Sequence, residues 1–189
     1  SIHAARLWQH MRNLWSLKEV RLLIETARRS SLGCALLGLD VGTKHVGVAV
    51  TDATLTFAVP LGTLRRTTAP RDDRSRRSSA VDPFWGELSA LVDKHDACAC
   101  VVGWPLTKSG TPSAMCVEVM GFVEEMERFG GEPGLPPVAL YDERYSTLNA
   151  VQPMRDAGVS RRRVANLKDQ TAATVILQDA LDSLSVSEL

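Results

Sequence analysis

Carboxylates stand at three separated places in this sequence, each beside residues that predict a buried element. Asp40 ends the apolar run CALLGLD and is followed by Val41-Gly42-Thr43. A strand ending in Asp-x-Gly-Thr presents its carboxylate at the rim of a sheet, and the glycine lets a ligand or another backbone approach closely. The pattern suits metal binding and phosphate binding alike, and it also makes an ordinary turn. The second place is Tyr141-Asp142-Glu143-Arg144, at the end of another apolar run. Charge buried without a partner is costly, so these groups must be paired, metal-bound or exposed as a helix-capping cluster. The third is Asp169. At about 100° per residue, Ala173, Ile176, Leu177, Ala180 and Leu184 form one apolar stripe, with Asp169 at its edge and Asp182 on the opposite face. The alanines predict that this helix lies close to a sheet.

Successive side chains on a strand point to opposite faces, so Asp142 and Glu143 cannot both face one site if the strand runs through them. The longer Glu143 is expected on the Asp40 side, with Asp142 pairing with Arg144 or capping the next turn. Asp142 is the alternative. Two basic clusters accompany the acids: Arg65, Arg66, Arg71, Arg74, Arg76 and Arg77, diluted by Asp72 and Asp73, and Arg161-Arg162-Arg163 with Lys168 immediately before Asp169. Such groups contact phosphate without reading sequence. For the first cluster a solvated loop is an equal alternative.

The elements that must position these residues follow from apolar periodicity. Cys34–Asp40 predicts a buried strand, and His45–Thr51 and Thr54–Leu64 predict two more in a meander, with Pro60 and Gly62 as irregularities. The polar run 65–79 predicts a loop. Asp82–Asp96 predicts a helix, Ala97–Gly103 a strand, Thr111–Phe129 a helix and Val138–Tyr141 a strand. Ser146 or Thr147 can cap a helix shortened by Pro153, and Leu167–Leu184 predicts the last helix. Strand, helix, strand, helix, strand implies parallel pairing with right-handed crossovers. The whole is an α/β chain with a five-stranded mixed sheet, three antiparallel strands then two parallel, flanked by helices. That is the element order of the ribonuclease-H-like fold.

Residues 1–33 are expected to form an N-terminal amphipathic helical extension, with Leu7, Met11, Leu14, Trp15, Lys18, Leu22 and Ile24 at helical spacing, and 34–189 the domain proper. The first thirty residues are basic and the numbering opens on serine, which also fits the remainder of an organellar targeting region or a truncated chain. Either way the protein is expected to be soluble and intracellular, in the cytoplasm or in an organelle stroma or matrix. No apolar run approaches the ~20 residues of a membrane span.

With 189 residues, 44% hydrophobic and 23% charged, the chain is long enough for one well-cored domain. Its formal net charge of zero excludes binding nucleic acid by bulk charge alone, so local clusters must do so. The four cysteines, Cys34, Cys98, Cys100 and Cys116, lack the paired spacing of a zinc site, and reduced packed thiols are expected. Cys98 and Cys100 would share one strand face.

The segments LGLDVGTKHVGVAVTD, VVGWPLTKSGTPS, DERYSTLNA and KDQTAATVILQDAL, in this order, resemble the YqgF (RuvX) family over roughly Ala35–Leu184. That family is described as Holliday-junction resolvases and as nucleases maturing the end of small-subunit (16S) ribosomal RNA precursors. The resemblance implies that Asp40, Asp142 or Glu143, and Asp169 are metal-binding carboxylates. It implies that Gly103, Pro105 and Gly110 form a loop beside the site, and that Thr43, Lys44, Arg144 and Thr147 stand near phosphate. The chain departs from the family pattern at His45, usually arginine, at Ser146, usually threonine, and at Trp104.

The function this implies is hydrolysis of phosphodiester bonds in structured nucleic acid, either precursor 16S-type rRNA or a branched DNA junction. Two Mg²⁺ or Mn²⁺ ions about 4 Å apart can activate a water and stabilise the leaving oxygen, and hard oxygen ligands suit them. Asp40, Glu143 and Asp169 would carry the catalysis, with Arg161, Arg162, Arg163 and Lys168 holding substrate. Endo- and exonucleolytic cleavage both fit, as do a monomer and a homodimer, and pre-ribosomal particles are candidate partners. An actin-like kinase also carries Asp-x-Gly-Thr but repeats the fold twice, whereas one copy fills this chain. The remaining alternative is a non-catalytic nucleic-acid-binding or ribosome-assembly module, against which the retained acids speak.

Overall fold

The computed structural model describes residues 14–30, 33–66, 83–107, 109–129, 135–142 and 161–186, and in the last segment the side chains of 172–185. Six strands in these residues form one mixed sheet: β1 (Leu14–Trp15), β2 (Ala35–Val41), β3 (His45–Thr51), β4 (Ala58–Arg65), β5 (Ala97–Trp104) and β6 (Val138–Asp142). Their spatial order is β1-β6-β5-β2-β3-β4. The β2–β3 and β3–β4 pairs are antiparallel, whereas β2–β5, β5–β6 and β6–β1 are parallel. The helices are α1 (Leu17–Arg29), α2 (Pro83–Lys94), α3 (Met115–Phe129) and α4 (Arg161–Val186). Three antiparallel strands followed by two parallel ones, covered by helices on both faces, is the ribonuclease-H-like arrangement.

β2 and β5 are buried on both faces, which is why both read as continuous apolar runs rather than as alternations. On one face α2 and α3 pack large side chains, Phe84, Trp85, Leu88, Phe122 and Met126, over Leu37, Leu39, Val48, Cys100 and Val102. On the other, α1 and α4 pack Val20, Ile24, Ile176, Leu177 and Ala180 over smaller residues, including Ala49, Ala99 and Ala139. Small sheet residues let α4 come close. A Cβ added at Gly38 would lie 2.6 Å from the Leu177 Cβ and 2.8 Å from the Ala173 carbonyl oxygen.

The sheet has six strands where five were expected, because Leu14 and Trp15 pair with Val138 and Ala139 instead of entering a helix. The helix starts late because Ser16 and Glu19 form a capping box: Ser16 Oγ accepts from the Glu19 N–H at 3.3 Å and the Glu19 carboxylate accepts from the Ser16 N–H at 2.6 Å. The buried stripe of α1 is Val20, Ile24 and Ala27, so of the expected stripe Ile24 is buried, whereas Leu22 is 62% exposed, Lys18 is exposed, and Leu14 and Trp15 lie in the strand before the helix. Leu7 and Met11 lie outside the described residues.

The cysteines correct a second expectation. Cys34 and Cys98 form a disulfide with Cα atoms 5.1 Å apart, within the range such bonds span. A register shift between Ala35 and Leu36 opposes them to Ala97 and Ala99, leaving Cys98 as an extra residue on β5. The bulge turns Cys98 away from the face of Cys100 and toward Cys34, which strict alternation could not show. Cys100 stays a free buried thiol, its pKa pushed up to about 12 by burial.

β4 begins at Ala58, four residues later than expected, because Asp52 organises the preceding turn. Its carboxylate accepts from the N–H groups of Thr56 and Phe57, each at 2.7 Å, and from the backbone N–H and hydroxyl of Thr54. At the expected irregularity the pairing shifts between Gly62 and Pro60, so that Leu61 bulges. No helix among the described residues is long and apolar enough to cross a membrane.

Candidate functional site

The register assigns the acids to faces. Gly38 pairs with Val101 on β5, which pairs with Ala139 on β6, and all three sit on the α4 face. Two residues further along each strand come Asp40, Gly103 and Tyr141, so this row lies on the same face. Leu39, Val102 and Leu140 occupy the opposite face, and Asp142, following Tyr141, belongs with them. The row has a half-buried carboxylate at one end and a buried glycine at its centre.

α4 runs along this face toward the row. Gln178 accepts from the Ala58 N–H at 2.9 Å and donates to the Thr56 carbonyl at 3.1 Å, which fixes it at the level where Ala58 pairs with Thr51. Thr51 Oγ1 in turn accepts from the Leu36 N–H at 3.0 Å, so Gln178 is level with Leu36. Ala173 and Leu177 meet Gly38, two residues further along β2. The row itself meets α4 through Tyr141, whose hydroxyl donates to the Asp179 carbonyl at 3.1 Å.

Beyond Asp40 the chain reverses within a tight turn. Val41 pairs with Val46, and the Gly42 N–H donates to the His45 carbonyl at 2.9 Å. A Cβ at Gly42 would lie 2.9 Å from that carbonyl oxygen, so the close approach requires glycine. The turn exposes Thr43, Lys44 and His45 to solvent. A second loop leaves the end of β5. Thr107 holds it closed, its N–H donating to the Thr111 carbonyl at 2.8 Å and its hydroxyl 2.7 Å from that of Thr111. Pro105 accepts from the Ser113 N–H at 3.3 Å and the Cys116 thiol at 3.4 Å, and Gly110 turns with a φ of 79°.

Of the residues expected at the site, Asp40, Gly103, Thr43, Lys44 and Pro105 therefore gather at one end of the sheet, and Asp142 stands at the same end but on the opposite face. Glu143, Arg144 and Thr147 lie outside the described residues, as do the side chains of Arg161, Arg162, Arg163, Lys168 and Asp169. No three metal-ligating groups converge among the described residues. The donor of the row, the Asp40 carboxylate, is the hard oxygen ligand that a divalent ion such as Mg²⁺ takes.

Arg66 departs from its expected place in a phosphate-facing loop. Its side chain is 10% exposed and lies between the Asp40 turn and α3, donating to the Gly42 carbonyl at 3.2 Å and to Glu125 at 3.4 Å. The partner acids absorb its charge. Arg65 is exposed, and Arg71, Arg74, Arg76 and Arg77 lie outside the described residues. Sequence reasoning missed Arg66 and Thr107 as elements that shape this end of the sheet, and Gln178 as the residue that ties α4 to the start of β4. The one available signal was the spacing of Glu118, Phe122 and Glu125, which places all three on one side of α3.

The chain matches the family described as RuvX, Holliday junction resolvase, over residues 34–183. A relative from Paramagnetospirillum magneticum, named "Putative pre-16S rRNA nuclease", is 35% identical over 79% of this chain and 86% of its own. Another of the same name, from Phenylobacterium zucineum, is 36% identical over 79% of this chain and 86% of its own. Among solved structures, T. thermophilus RuvC in complex with Holliday junction substrate aligns with 76% of this chain and 91% of its own, at a TM-score of 0.42 and 15% identity.

Proposed function

The chain belongs to the RuvX family, and from that premise we propose that it is a divalent-metal-dependent nuclease acting on structured nucleic acid, with precursor small-subunit rRNA as its substrate. The observation that supports this reading is the half-buried carboxylate of Asp40 in a row with Gly103 and Tyr141, at the end of the sheet face that α4 covers. The names of the relatives favour the RNA substrate. The family description favours a second reading, cleavage of a four-way DNA junction.

Asp40, Glu143 and Asp169 are the residues that would hold two Mg²⁺ or Mn²⁺ ions, with Asp142 as the alternative to Glu143. Such ions, when bound, lower the pKa of an attacking water and stabilise the leaving oxygen. The protein's own part is positioning. The exposed Thr43 and Lys44 offer a hydroxyl and an ammonium to the backbone phosphates, and Arg144 and Thr147 are assigned the same role. Arg161, Arg162, Arg163 and Lys168, immediately before Asp169, hold phosphate electrostatically without reading sequence. Gly103 and Pro105, at the end of β5 beside Asp40, are assigned to the loop that borders the substrate.

The discriminating experiment offers the protein, in Mn²⁺, a precursor small-subunit rRNA and a four-way DNA junction at equal concentration. Faster cleavage of the RNA supports the proposal. Preference for the junction establishes the second reading, and binding of either without cleavage points to a non-catalytic assembly module.

A further inference from the structure

Arg66 touches the Asp40 turn at two points. Its guanidinium donates to the Gly42 carbonyl at 3.2 Å, and its backbone N–H donates to the Lys44 carbonyl at 2.9 Å. The same guanidinium faces Glu125 at 3.4 Å and Glu118 at 3.7 Å, and lies over the Phe122 ring at 5.3 Å from its centroid. A planar fork of five N–H donors can hold a carbonyl and two carboxylates at once, which a compact ammonium cannot. The side chain is nine-tenths buried, so none of these contacts competes freely with water.

We propose that Arg66 is a positioning residue for nucleic-acid binding: it ties the Gly42–His45 turn to α3, so that Thr43 and Lys44 stand beside Asp40 in one arrangement. Without the side chain, the turn keeps the single hydrogen bond from the Gly42 N–H to the His45 carbonyl and the backbone bond from residue 66. Glu118 and Glu125 would then face the turn uncompensated, where an anionic substrate must approach. Arg66 thus presents a neutral, fixed turn while contributing no phosphate contact of its own. This inference rests on the reading that the turn meets phosphate.

The test separates tethering from charge. In the variant Arg66→Met with Glu118→Gln and Glu125→Gln, an apolar stem still packs on Phe122 and no charge is left unbalanced. Amide hydrogen exchange at Gly42 and residue 66, whose N–H groups donate to the turn's carbonyls, is expected to speed up by about tenfold or more, the loss of one hydrogen bond to a charged group, while the amides of β2 and β5 keep their protection. KM for the cleaved nucleic acid is expected to rise by a similar factor, about tenfold, with kcat nearly unchanged. Wild-type exchange in the turn together with wild-type KM would overturn the proposal, because balancing the charge alone would then suffice. Should the triple variant not fold, Arg66→Lys takes its place; it retains the charge but not the fork, and wild-type protection of the turn in it would equally overturn the proposal. If the wild-type protein cleaves nothing, the nuclease reading fails, and the exchange measurement still decides whether Arg66 holds the turn.

Discussion

Substituting alanine for Gly38 tests whether the close approach of α4 sets the site. The new methyl carbon would lie 2.6 Å from the Leu177 Cβ and 2.8 Å from the Ala173 carbonyl oxygen. Carbon atoms pack best about 3.5–4.0 Å apart, so the shortfall is about 1 Å. Both obstacles belong to the helix framework, one a backbone oxygen and the other a Cβ, so no rotamer change relieves them. The helix itself must retreat by about 1 Å. Overpacking of this kind costs about 1–3 kcal/mol, and each kcal/mol lowers Tm by about 2–4 °C in a domain of this size. The expected fall in Tm is therefore roughly 2–12 °C. A misplacement of about 1 Å in a catalytic arrangement can cost about 10²-fold in rate, and Asp169 begins one turn away on the same helix. Thermal unfolding followed by circular dichroism, with Mn²⁺-dependent turnover at a temperature where the variant is folded, reads both effects. A Gly38→Ala protein with wild-type Tm and turnover would refute the argument that α4 is seated on β2 and carries a site residue. Lowered stability with full turnover would refute only the second half.

On the reading that Glu143 is the metal ligand and Asp142 its partner, Glu143→Gln should abolish metal-dependent cleavage with little change in Tm. Asp142→Asn should lower Tm and spare part of the rate, and the opposite pattern would transfer the ligand role to Asp142. Asp52 has its pKa lowered to about 2 by the Phe57 N–H, then by the Thr54 hydroxyl. Because the folded value lies below the ordinary 3.8, its stabilising effect is complete above about pH 4 and fades as pH falls toward 2. Urea midpoints measured from pH 6 to pH 2.5 should fall less steeply for Asp52→Asn than for wild type, and parallel curves would count against this role. The Cys34–Cys98 bond closes a separation of 64 residues, so in the chain-entropy account its reduction should cost about 4 kcal/mol, read as a drop in Tm of roughly 10 °C. The Cys34→Ala, Cys98→Ala double variant should not respond to reductant, and a wild-type Tm indifferent to reductant would show that the bond does not stabilise the fold.

Much of the fold was legible because the central strands are buried on both faces and so form uninterrupted apolar runs bounded by turn residues. The place of Asp40 at the end of the sheet was legible for a related reason: the apolar run stops there, with Gly42 two residues on at the turn. Other features depend on geometry that side-chain periods do not encode. A two-residue strand such as Leu14–Trp15 has no period at all, and its pairing is decided by the Ser16–Glu19 cap that begins the helix after it. The disulfide depends on one extra residue in β5, which reverses the face of Cys98. Arg66 sits in a polar, arginine-rich stretch that reads as a solvated loop, yet its role is set by Glu118, Phe122 and Glu125, more than fifty residues away. The seven-residue spacing of those two glutamates, with Phe122 between them, marks a polar cradle on α3 without naming its occupant.

The central claim is that Asp40 anchors a divalent-metal site for cleavage of nucleic acid, and Mn²⁺-dependent turnover of wild type beside Asp40→Asn, with Tm measured on both, tests it most directly. Wild type should cleave structured RNA only when Mg²⁺ or Mn²⁺ is supplied, while Asp40→Asn should keep its Tm and lose cleavage at every metal concentration. Metal-dependent turnover in Asp40→Asn equal to that of wild type, or cleavage by wild type that persists in a chelator, would contradict the account.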